Sequence, residues 1–224
     1  MIGSHRRSDC LEKHFILNLR AIIMAADEYY DSIGQVLAYV LSAEDFIYSQ
    51  RQSDSGKHFL IERDGTLLDF YAQPNNRYFI LMYQFSLSQK IIEAYNQDNQ
   101  ILQNHMERFE IDDAQVSDKN LDQEVALHRI QDVGEEEAQR VVTDIRALAT
   151  HTDCRISTLT EQSPEDPETE VWNGVTVSGL LYPYESDFGP RDYEQTAQEV
   201  ISVGNQIDET MKKMDVMEEI GFSA

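Results

Sequence analysis

A chain of 224 residues, 41% hydrophobic and carrying 11 Tyr and 9 Phe, is long and apolar enough to bury a core without staples. Its 41 acids against 18 bases leave a net charge of −23, which disfavours nucleic acid and anionic membranes as partners, because both select basic clusters. Two cysteines, Cys10 and Cys154, cannot build a disulfide framework and fit a reducing cytoplasm.

The first 23 residues differ from the rest. Before Met24 stand four bases (Arg6, Arg7, Lys13, Arg20) and two acids (Asp9, Glu12); after it come 39 acids and 14 bases. Lys13, His14, Asn18 and Arg20 interrupt the apolar residues of this stretch, so it is neither a secretory signal nor a membrane span. Residues 1–23 are expected to be a non-native or disordered leader without function, with MAADEYYD as the acidic start of the protein proper.

From Asp27 to Gln50 the apolar positions Tyr30, Ile33, Leu37, Val40, Leu41 and Ile47 keep helical spacing. KHFLIER and TLLDFYA then flank Asp64-Gly65, a pair that supplies the positive φ angles of a two-residue hairpin. QPNN is the next turn, and RYFILMYQFSL predicts a central strand buried on both faces. Helical spacing returns over residues 88–109. The stretch 110–124 is a polar connector without Gly or Pro.

VALHRIQDV predicts a short strand, and GEEEAQRVVTDIRALAT a helix with three glutamates in its first turn, where the macrodipole favours them. RISTLTE is the next strand. ETEVW and VTVSGLLYPY flank Asn173-Gly174, read as a second hairpin turn. Gly189-Pro190 opens a final helix through Tyr193, Ala197, Val200, Gly204, Ile207, Met211 and Met214. The expected fold class is α+β: antiparallel strands with helices on one side, in two halves (24–110 and 124–220) each ordered helix, three strands, helix. A single domain over 24–224 is preferred, and whether the halves share one sheet stays open.

Candidate chemistry is sparse. His151, Asp153 and Cys154, with Asp144 on the preceding helix, are metal-binding residue types, but four converging ligands are required and no second pair stands at ligand spacing. Asp69 lies among apolar residues; facing inward it would have a raised pKa and acid/base potential, whereas strand alternation places it toward solvent. Asp187-Phe188-Gly189 matches one kinase triplet, and no other kinase signature accompanies it. No cofactor or metal site is expected. Trp172, Tyr182 and Tyr184 are candidate partner contacts on the second hairpin. Ile207, Met211 and Met214 belong to an alternating four-three seam that either pairs with a second copy or faces the protein's own sheet.

Acids spread through every segment after Met24 resemble the composition of halophilic archaeal cytoplasmic proteins, whose acidic surfaces need salt to screen self-repulsion. The element order (helix, three strands, helix, strands, last helix, over residues 27–215) is similar to the type III secretion chaperone-like fold, including the YbjN family. That resemblance carries no motif residues; it implies a small dimeric module that binds polypeptide segments. The expected function is therefore a non-enzymatic protein-interaction or chaperone-like module of the cytoplasm, with a protein or a second copy as partner. The alternative is a small hydrolase-like or metal-dependent enzyme using Asp69, His151 or Asp153.

Overall fold

The computed structural model describes residues 27–53, 56–111, 121–166 and 168–221. The expected leader and residues 112–120 of the polar connector lie outside these. Residues 27–42 form α1, followed by β1 (Phe46–Ser53), β2 (Gly56–Arg63), β3 (Thr66–Ala72) and β4 (Phe79–Ser86). Then come α2 (Leu87–Gln97), α3 (Asn99–Arg108), α4 (Leu121–Gln131) and α5 (Glu135–Leu148). A 3-10 turn (Ala149–His151), β5 (Arg155–Gln162), β6 (Glu170–Leu181), α6 (Pro190–Met211) and α7 (Asp215–Glu219) complete the chain.

Both halves contribute to one sheet. Its order is β1-β2-β3-β4-β6-β5, with every neighbouring pair antiparallel. Asp64 and Gly65 both take positive φ, and the resulting turn pairs Arg63 with Thr66. Opposed residues share a face, so the ladder from Phe59 through Phe70 to Leu81 lines one side together with Ile61, Leu68, Phe79, Phe85, Val175 and Val177. All of these are buried, and each large side chain so removed from water contributes about 1.5–3 kcal/mol. On this inner face Tyr29 of α1 donates to the Ala72 carbonyl at 2.8 Å and meets the Phe79 ring edge-on. Helix α6 packs against β4 and β6, and α5 lies beside it against β5. Helices α2 and α4 pack on each other, and Gln123 and Ser88 reach Glu161 near the end of β5.

Five elements depart from the sequence reading, β4 among them. The first helix ends at residue 42 and not at Gln50, because Glu44 takes a positive φ of 64° and FIYSQRQS pairs with β2 as an edge strand. Ile47 kept helical spacing by accident. The 88–109 helix is two, broken at Asp98, whose extended backbone ends α2 while its carboxylate caps α3. VALHRIQDV belongs to helix α4, where Val125, Ala126 and Ile130 are buried. Asn173-Gly174 is not a turn: β6 runs straight through it, and the β5 ladder slips by one residue there, leaving Asn173 as a bulge. The halves therefore supply four strands and two, not three and three.

The bulge explains the Asn-Gly pair. Gly174 has φ +131°, and a Cβ there would sit 2.1 Å from the Phe85 carbonyl oxygen. Asn173, fully buried, accepts from the Ser88 N–H at 2.8 Å and donates to Ser88 Oγ at 2.9 Å and Glu161 Oε1 at 2.5 Å. One side chain thus ties β6, the start of α2 and β5 together. β4 also differs from expectation, since only its inner face is buried; Ile80 and Met82 point the other way and are half-exposed.

Candidate functional site

Alternation along the strands assigns an outer face to the sheet. Arg51 pairs with His58, His58 with Tyr71, Tyr71 with Ile80 and Ile80 with Leu180. A neighbouring row runs from Leu60 through Asp69, Met82 and Ser178 to Arg155. Leu60, Tyr71, Ile80, Met82 and Leu180 are half-exposed, and Leu67 retains 50% of its surface. None of these six joins the buried cluster beneath the helices. On edge strand β1, Phe46 (60% exposed) and Tyr48 (55%) meet edge-on at 4.9 Å. Tyr48 shares a hydrogen bond with outward Glu62, which raises its phenol pKa. The result is an apolar field of eight large side chains on one sheet face.

Its charge is unlike that of the whole. Arg51 and Arg155 stand against Glu62, Asp69 and Glu161, so the outward strand charges sum to −1 on a chain of −23. The remaining outward positions include Gln84, Ser157, Thr176 and Ser178, all uncharged. Within the field, Asp69 Oδ1 lies 2.6 Å from His58 Nε2, and the His58 ring stacks on Tyr71 at 4.4 Å. Burial raises the Tyr71 phenol pKa first, and the Asp69 charge adds to it.

The other candidates do not converge on this face. His151 is exposed on the 3-10 turn and Asp153 is exposed just before β5. Asp153 borders a cleft of about 470 Å³ with Glu185, Asp187, Asp192 and Glu199; neither Asp69 nor His151 lines it. Cys154 is half-buried against the core, and burial pushes its thiol up. Among the described residues no three His, Cys, Asp or Glu side chains gather as a metal site.

The aromatic candidates are also separated. Trp172 stands near the start of β6 and Tyr182 just beyond its end, roughly 30 Å apart along a strand. Trp172 borders a second cleft of about 400 Å³ between α5 and the β5–β6 hairpin. Its indole N–H is buried without a partner among the described residues. Tyr182 is exposed beside Tyr78, while Tyr184 packs half-buried on Phe79 and under Arg77.

Ile207, Met211 and Met214 are buried inside the chain itself. The α6 seam therefore faces the sheet, and a Cβ on Gly204 would sit 2.9 Å from the Tyr83 ring. The close approach that Gly204 permits is to this protein's own β4 and not to a second helix.

Phe46, Tyr48, Leu60 and Met82, which the sequence reading did not single out, form the field instead. Among the described residues no helix is long and apolar enough to cross a membrane. No family model, curated protein or solved structure matches the chain.

Proposed function

We propose that this chain is a non-enzymatic protein-interaction module of a salt-rich cytoplasm, and that the outer sheet face is its binding surface. The observation that carries this is the near-neutral apolar field on an otherwise strongly acidic molecule. Acidic side chains keep a surface solvated, and a face that omits their excess is poorly hydrated and gains from being covered. Contiguous exposed apolar surface of this kind marks interaction sites. The enzyme reading has the His58–Asp69 pair in its favour. A substrate needs a concave site to surround it, however, and the 470 Å³ cleft contains neither residue.

A photo-crosslinking side chain at Leu67 tests the reading, with Gln206 on the exposed side of α6 as the control position. In native cells at high salt, Leu67 is expected to give discrete polypeptide adducts and Gln206 none. Equal labelling from both positions, or none from Leu67, rejects the face as a protein-binding surface.

A further inference from the structure

We propose that the outer sheet face is closed by the same face of a second copy of this chain, giving a symmetric dimer packed sheet on sheet. This rests on the reading of that face as the binding surface and names its occupant. Charge makes the choice. Two bodies of −23 repel, so a stable self-contact has to form where acids are few and nearly balanced by bases. Arg51 and Arg155 against Glu62, Asp69 and Glu161 leave this face at −1, close to neutral. A strongly basic partner would be drawn to the acidic helices and to the Asp153 cleft, which meets this face only at its rim through Arg155 and Leu180; a near-neutral apolar face suits another of the same kind, and the chain carries its own.

Size agrees. Six strands of mostly eight residues span about 24 Å by about 26 Å, at roughly 4.8 Å between strands and 3.3 Å per residue. That footprint, near 600 Å² before side-chain relief, approaches the roughly 800 Å² per partner of a standard interface. The apolar residues also lie in two adjacent rows, Leu60 with Met82 and Tyr71 with Ile80 and Leu180. Such rows interdigitate when two sheets pack about 10 Å apart, and a two-fold contact uses the same patch twice.

Sedimentation of the full chain in molar KCl is expected to show a dimer. Met82→Glu sets a carboxylate in the centre of the contact, once from each copy, and should weaken association at least about a hundredfold. Leu180→Glu on the adjacent strand is the second variant, in case one of the two fails to fold; Gln206→Glu on α6 should leave the dimer unchanged. A wild type that stays monomeric at high concentration overturns the proposal, as does a dimer that survives both face variants.

A Met82→Cys variant separates failure of the dimer from failure of the open face. Maleimide labelling is read by mass spectrometry at residue 82, so Cys10 and Cys154 do not interfere. Monomers that label freely refute the dimer and leave the open face standing. Monomers that resist labelling show the chain covering its own face, which overturns both readings. Should both glutamate variants unfold, protection at residue 82 that is lost on dilution supports the dimer, and labelling independent of concentration rejects it.

Discussion

Asn173 shows how much a single side chain can bind together. It is fully buried, and its amide group meets Ser86, Ser88 and Glu161 on three elements. Asn173→Ala removes those partners at once and leaves the Ser88 N–H and the Glu161 carboxylate without their contacts to it. The expected loss is roughly 2–4 kcal/mol, read as a lower urea midpoint with little change in slope; a shift under about 0.5 kcal/mol would show that solvent replaces the side chain. The dipeptide itself was visible in the sequence, and its role was not. Asn-Gly suits a turn and a bulge equally, and the choice depends on whether the flanking strands pair with each other or with other strands. The His58–Asp69 pair was more legible. Once Asp64-Gly65 closes a two-residue turn, counting outward opposes Leu60 to Asp69 and His58 to Tyr71, and the diagonal neighbours on one face are then within reach.

At the scale of elements, the short helix α7 is held by its buried Val216 and Met217 together with a polar cluster, and not by its length. Glu219 receives Arg129 Nε at 2.7 Å and Arg108 Nη1 at 3.2 Å, and it stands 3.5 Å from His105 Nε2. Burial pushes the Glu219 pKa up, but the hydrogen bond and charge of Arg129 outweigh it, holding the carboxyl below its usual range. His105, itself buried, shares a 2.7 Å hydrogen bond with Tyr95 through Nδ1. Burial lowers its pKa, and Arg129 and Arg108 add to that against the opposing pull of Glu219. A histidine whose folded pKa is depressed contributes stability above the unfolded value, about 6.5, and that contribution is lost as pH falls through the folded pKa. Wild type should therefore lose stability on acidification below about pH 6.5 relative to His105→Gln, by no more than about 1.4 kcal/mol per pH unit for one proton. Parallel melting profiles for the two proteins across that range would remove His105 as the cause. None of this cluster was readable from spacing, because α2, α3, α4 and α7 meet only in the folded chain. Regular elements were read well where period and punctuation agreed, as in β2, β3, α5 and α6. They were misread where a short apolar run fitted both periods, as in β1 and α4.

For the whole molecule the governing quantity is the charge of −23. Mutual repulsion among 41 acids opposes the compact state, and its reach shrinks from a Debye length of about 10 Å at 0.1 M salt to about 3 Å at 1 M. Removing KCl is expected to lower the thermal midpoint, followed by circular dichroism from molar down to tens-of-millimolar salt. Carboxylate pairing inside the fold works against this trend only locally. Asp45, buried beside Tyr193 and Arg63, has its pKa raised by burial, so its protonation stabilises the fold as pH falls and does not relieve the exposed acids at neutral pH. Dimerisation should share the dependence and exceed it, because joining two like-charged bodies adds repulsion between copies to that within each one. The near-neutral outer face reduces that cost at the contact but leaves the charge of the helices in place. Association measured across the same salt series should therefore fall off before the protomer melts. A midpoint indifferent to KCl would mean that the acids are spaced widely enough for water alone to screen them, and the salt-adapted reading would fail with it.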